Sequence, residues 1–157
     1  MDKIPMTAAG FDRLEKELKT LKTVERPAVI QAIAEARAHG DLSENAEYSA
    51  AKEKQSFIEG RIQELEAVIS RADVIDVKTL QGDTVKFGAT VTIVDEESEE
   101  ELTYQLVSEY EADISRNLLS LTAPIGRALI GKKTGQSVEV NSPKGTRFYE
   151  VLKIEYK

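Results

Sequence analysis

His39-Gly40-Asp41-Leu42-Ser43-Glu44-Asn45-Ala46-Glu47-Tyr48 breaks one long helical pattern into two. On its N-terminal side Phe11, Leu14, Leu18 and Leu21 form an apolar seam with a period near 3.5 residues. Thr7 is placed to cap the start of that helix. Pro27 interrupts the pattern, since proline lacks an N–H and clashes with the preceding turn. Val29, Ile30 and Ile33 then continue an apolar face, with alanines at 32, 34, 36 and 38. The spacing predicts a helix over 8–38, bent or locally loosened near Pro27. Gly40 is a natural stop, because glycine accepts positive φ just past a helix end. On the C-terminal side Tyr48, Ala51, Gln55, Ile58, Ile62, Leu65, Ile69 and Ala72 form a second seam, broken only by Gln55. Two such helices joined by a short turn become antiparallel neighbours. At 1.5 Å per residue they make an arm about 45 Å long, with residues 39–48 at its end.

The period changes after Val74. Val74–Val77 reads as a connector or short strand. Segments 85–94 and 102–107 are rich in β-branched residues, and the acidic run 95–101 between them reads as a solvated hairpin loop. Residues 109–117 are polar and turn-like. Pro124–Leu129 reads as one short helix ended by Gly131. Segments 137–140 and 148–156 pair around the turn 141–145. The expected fold class is α+β: an N-terminal antiparallel helical coiled coil over 1–76, then a strand-rich domain over 77–157.

The chain has 157 residues, no cysteine and a net charge of −7. Disulfides and thiolate metal sites are excluded. No apolar run approaches the roughly 20 residues needed to span a bilayer. Residues 1–7 carry no apolar signal core, so a cytoplasmic protein with no membrane partner is expected. Residues 1–76 hold 11 basic and 15 acidic residues, a net of −4. Tight unaided binding of nucleic acid needs basic residues against phosphates. An acidic chain reaches nucleic acid only when a larger partner supplies the affinity.

Asp41 and Glu44 have two readings. Asp41 is a good N-cap for the second helix and Glu44, three residues on, makes a near-capping-box. Glu44 and Glu47 also suit the positive end of the helix dipole. Alternatively, two carboxylates at an exposed arm end complete a Mg²⁺ site built mostly by a partner. His39 is the only histidine; it is a poor Mg²⁺ ligand and reads as solvated. Arg37 and Lys52 flank the turn and either face phosphate or balance Glu35, Glu44 and Glu53. The scattered glycines lack the lysine and hydroxyl of a phosphate loop. The lone histidine has no credible nucleophile beside it. As a free-standing enzyme the chain offers little.

The chain resembles the bacterial Gre transcript cleavage factors, of the GreA type, over essentially its whole length. The resemblance is carried by Ile4-Pro5-Met6-Thr7, Arg26-Pro27, Ala34-Glu35-Ala36-Arg37, the stretch 39–48, Glu59-Gly60-Arg61-Ile62, Phe87-Gly88-Ala89-Thr90-Val91 and Pro124-Ile125-Gly126. It implies a C-terminal domain similar to the FK506-binding-protein fold, docked near the secondary channel of bacterial RNA polymerase. It implies an arm that reaches the polymerase active site and stimulates the polymerase's own cleavage of backtracked RNA. On that resemblance Asp41 and Glu44 help hold a second catalytic Mg²⁺, and Arg37 and Lys52 contact the nascent RNA 3′ end. Pro124 lies in the polymerase-binding loop, and the factor acts as a monomer with no cofactor of its own. Two other readings remain: a prolyl isomerase or chaperone with a helical arm, and a purely structural adaptor. The first needs an aromatic-lined pocket, whereas residues 77–157 hold no tryptophan and two phenylalanines.

Overall fold

The computed structural model describes residues 2–40 and 45–157. It divides into two compact units, residues 12–71 and residues 1–11 with 72–157. The first eleven residues therefore group with the strand-rich part. The fold is α+β: an antiparallel helical hairpin and a strand-rich half-barrel.

The hairpin is built from α1 (Ala8–Thr20), α2 (Arg26–Arg37) and α3 (Ala46–Arg71). Leu14, Leu21, Val29, Ile33 and Ala36 are buried on one side. Ala51, Ile58, Ile62, Leu65 and Val68 are buried on the other. Leu14 to Leu21 and Val29 to Ala36 are steps of seven, but Leu21 to Val29 is a step of eight. A π-helical turn over Leu21–Glu25 absorbs the extra residue, and the Arg26 N–H donates to the Leu21 carbonyl five residues back. This is the loosening expected near Pro27, which sits in the first turn of α2, where a missing N–H costs little. Ile30 does not share the apolar face with Val29; it is 53 % exposed, because adjacent helical residues point about 100° apart. At the far end of α3 the seam moves from Ile69 to Val68, since a real helix drifts against a strict 3.5 repeat.

Two bidentate ion pairs cross between the helices in opposite senses. Arg26 donates from Nε and Nη2 to Glu59, both at 2.8 Å. Arg61 donates from Nε and Nη2 to Glu17 at 2.7 and 2.9 Å. Each raises the arginine above its usual pKa by hydrogen bonding to its carboxylate, and Glu59 is lowered in turn. Solvated pairs like these add little stability, but planar forks have one good geometry and so favour one register.

In the other unit β1 (Ile4–Thr7) and β2 (Ala72–Ile75) pair in parallel. Sequence patterning left β1 unassigned, because four residues carry no readable period. The main sheet has the order β5-β4-β3-β7-β6. Its strands are β3 (Thr90–Asp95), β4 (Glu101–Val107), β5 (Leu118–Ser120), β6 (Ser137–Ser142) and β7 (Gly145–Glu155), with α4 (Pro124–Leu129) between β5 and β6. Only β5 runs parallel to its neighbour, β4. Val91, Ile93, Leu106, Leu129 and Val151 are fully buried in the core. The strand expected over 85–94 starts only at Thr90, because residues 87–88 make a turn.

Two carboxylates are buried against expectation. Asp95 opens the acidic hairpin loop but is only 4 % exposed. Its Oδ1 accepts the N–H groups of Glu97 and Ser98, and Arg147 donates to its Oδ2 at 2.7 Å. Those bonds hold its carboxyl below the usual carboxylate range, the two backbone donors first. Glu111, in the segment read as polar and turn-like, is also 4 % exposed. It accepts from the Thr7 N–H and hydroxyl at 3.0 and 2.6 Å, and from the Ser108 N–H and hydroxyl at 3.1 and 2.8 Å. Thr7 in turn caps α1, its Oγ1 accepting the Gly10 N–H at 3.0 Å. A Cβ at Gly10 would lie 2.0 Å from the Glu111 Oε1, so the chain passes this carboxylate only as glycine.

Glu111→Ala strands four donors, and chemical denaturation should show a loss of about 3 kcal/mol; an unchanged midpoint would contradict the network. A carboxylate with a lowered native pKa contributes stability above its unfolded pKa, about 4, and loses it as pH falls through the native value. Asp95→Asn should therefore flatten the acid limb of the stability profile of the strand-rich unit. An acid limb identical to the parent's would contradict that.

Candidate functional site

The hairpin end is built by two helix termini. Past α2 the His39 N–H donates to the Ala36 carbonyl at 3.2 Å, and Gly40 takes φ +111° as expected of a stop. α3 begins at Ala46, with Asn45 as its cap: Asn45 Oδ1 accepts the Tyr48 N–H at 3.0 Å. The cap observed at the start of α3 is thus Asn45, whereas the cap and near-capping-box expected of Asp41 and Glu44 fall outside the described residues. Asn45 also donates from Nδ2 to the Ala36 carbonyl at 2.7 Å, joining α3 to the end of α2. Asp41 and Glu44 themselves lie outside the described residues.

Arg37 and Lys52 are both exposed on the helical turns that flank this end. Among the described residues neither forms an ion pair; Lys52 Nζ donates to Gln55 Oε1 at 3.4 Å. Glu35, one of the proposed balancing charges, instead accepts from Gln31. His39 is exposed. No group of three or more acidic or histidine side chains among the described residues is placed to hold a metal ion. Two carboxylates are of the right chemistry for Mg²⁺ but too few to make a site alone.

In the strand-rich unit Pro124 is the first residue of α4 and is exposed. It borders an open, mainly apolar cavity of about 230 Å³, walled by Leu119, Ala123, Ile125, Val140 and Tyr149, with Arg147 at the edge. Arg147 is held there by Asp95, and Phe148 beside it is 49 % exposed. Desolvation pushes the Tyr149 hydroxyl above its usual pKa. The Gly126 of the Pro-Ile-Gly motif explains how α4 is seated. A Cβ there would lie 2.1 Å from the Ser120 carbonyl oxygen, so only glycine lets the helix lie this close to the end of β5. Sequence reading missed Asn45 as the cap; the available signal was that asparagine leads the N-cap ranking and stands just before an uninterrupted helical run.

Two family models cover the chain: the N-terminal domain of transcription elongation factors GreA/GreB matches residues 4–74, and the C-terminal domain matches residues 80–156. The chain belongs to the GreA/GreB family of transcription elongation factors. Full-length relatives of that family agree. The transcription elongation factor GreA of Rhodospirillum rubrum is 64 % identical over 99 % of both chains. Those of Cereibacter sphaeroides and Caulobacter vibrioides are 67 % and 62 % identical over the same shares. A solved GreA/GreB factor from Nitrosomonas europaea is 26 % identical over 98 % of this chain and 100 % of that one, with a TM-score of 0.43. No helix among the described residues is long and apolar enough to cross a membrane.

Gly126→Ala should unseat α4 and lower the stability of the strand-rich unit by about 2 kcal/mol, read by denaturant titration of a tyrosine signal. Parent-like stability would mean that the approach of α4 to Ser120 is not a constraint.

Proposed function

We propose that this elongation factor binds bacterial RNA polymerase at its secondary channel and stimulates the polymerase's own cleavage of the 3′ end of backtracked RNA. The observation that carries the reading is a family match along nearly the whole chain together with acidic residues at 41 and 44 in the segment joining the two helices. An acidic factor gains its place through protein contacts, and the net charge of −4 over residues 1–76 fits a factor that does not grip long RNA. That favours action on short backtracks.

Each residue has a separate task. Pro124 and the apolar cavity beside α4 face the polymerase and supply affinity. Arg37 and Lys52, unpaired by acidic groups among the described residues, attract the phosphates of the extruded RNA 3′ end. Lys52 does so as a point charge, Arg37 as a planar fork. Asp41 and Glu44 add carboxylate oxygens to a Mg²⁺ site whose remaining ligands come from polymerase and RNA. When bound there, the ion supplies charge neutralisation at the oxygens of an in-line displacement. Water attacks phosphorus, the bond to the 3′ oxygen breaks, and that oxygen takes a proton. The shortened RNA is left with a 3′ hydroxyl that the polymerase can extend.

Asp41→Asn and Glu44→Gln keep size and polarity but remove charge. Each should lower cleavage in stalled elongation complexes by about 100-fold or more, while competition binding to polymerase stays at the parent level. Parent-level cleavage by both variants would remove the metal role.

A further inference from the structure

A helix leaves its first four N–H groups and last four carbonyls without internal partners. At the hairpin end one side chain serves a group of each kind, on two different helices. Asn45 Oδ1 accepts the Tyr48 N–H of α3 at 3.0 Å, and Asn45 Nδ2 donates to the Ala36 carbonyl of α2 at 2.7 Å. The Asn45 backbone carbonyl also accepts the Ser49 N–H at 3.1 Å. Ala36 is buried in the hairpin seam, so its carbonyl is a fixed target. Only an amide fits both bonds. A carboxylate accepts from Tyr48 but has nothing to donate to Ala36, and a serine hydroxyl is one bond shorter.

We infer that Asn45 is a positioning residue for transcript cleavage stimulation. It touches no reacting atom. It clasps α2 to α3 through residue 45, the next in the chain after the segment that carries Asp41 and Glu44. The inference rests on the role proposed above for those two carboxylates. Catalytic groups misplaced by about 1 Å lose rate far more than binding. The clasp therefore governs the maximal rate and not the affinity of the factor for polymerase.

The discriminating variant is Asn45→Asp, which keeps the cap on α3 but sets a carboxylate oxygen against the Ala36 carbonyl. Asn45→Ala removes both bonds, and Asp41→Asn is the control. Each full-length protein is titrated into backtracked elongation complexes, giving a maximal cleavage rate and a half-saturating factor concentration. Helical content is read by circular dichroism, and side-chain amide exchange by NMR. In the parent, the Asn45 side-chain amide should exchange slowly. Asn45→Asp should lose about 10- to 100-fold in maximal rate with unchanged half-saturation and unchanged helical content, and Asn45→Ala at least as much rate. Parent-level cleavage by Asn45→Asp, or a loss that tracks lost helix, overturns the inference. If Asp41→Asn is inactive while Asn45→Asp is normal, only the clasp fails. If Asp41→Asn also cleaves like the parent, the proposed function fails with it.

Discussion

Two apolar seams must stay in register along α3, and the geometry of the helical unit depends on that. Seven-residue steps from Leu14 would carry the seam to residue 28, not to Val29. The π turn at Leu21–Glu25 restores the phase, so Val29, Ile33 and Ala36 all meet α3. Without that turn, Pro27 would fall within a regular helix and cost a hydrogen bond. Register once set is checked by the two forked ion pairs, which point in opposite senses across the hairpin. A slip of one residue would break both forks as well as misalign the seam. Asn45 closes the end where those constraints run out.

The strand-rich unit uses glycine and buried carboxylate for the same kind of purpose. Gly126 lets α4 lie against the Ser120 carbonyl, and that approach puts Pro124 at the edge of an apolar cavity. Glu111 joins the cap of α1 to the Ser108 backbone, so the first residues of the chain belong to this unit although they are far from it in sequence. In both places a residue that looks incidental in the sequence sets the position of a helix terminus.

Much of the architecture was legible because long helices repeat their signal. Six apolar seam positions along α3, from Tyr48 to Ile69, announce a face, and Pro124 and Gly131 bracket a six-residue helix accurately. The hairpin of β6 and β7 was readable from two β-rich runs around a proline-glycine turn. What was hidden depends on partners distant in sequence. Nothing local distinguishes Glu111 from Glu109, yet Thr7, 104 residues away, makes one of them a buried acceptor. Asp95 resembled its acidic neighbours until Arg147 and two backbone donors were placed around it. The parallel strand β1 has four residues and no period of its own. At the hairpin end, Arg37, Lys52 and Asn45 were legible as a neighbourhood, and the choice of cap was not, because Asp41 and Asn45 satisfy the same rule. The chemistry assigned to 41 and 44 came from family likeness, since spacing alone describes a cap equally well.

The central claim is that this factor makes RNA polymerase cut its own backtracked transcript. Purified bacterial elongation complexes, halted, backtracked by a few nucleotides and carrying 5′-labelled RNA, test it directly when supplied with Mg²⁺ and the full-length protein. The account predicts a shortened labelled RNA that appears faster with the factor than without it and that extends again when nucleotides are added. Labelled RNA that stays at its original length, in complexes to which the factor is bound, would contradict it.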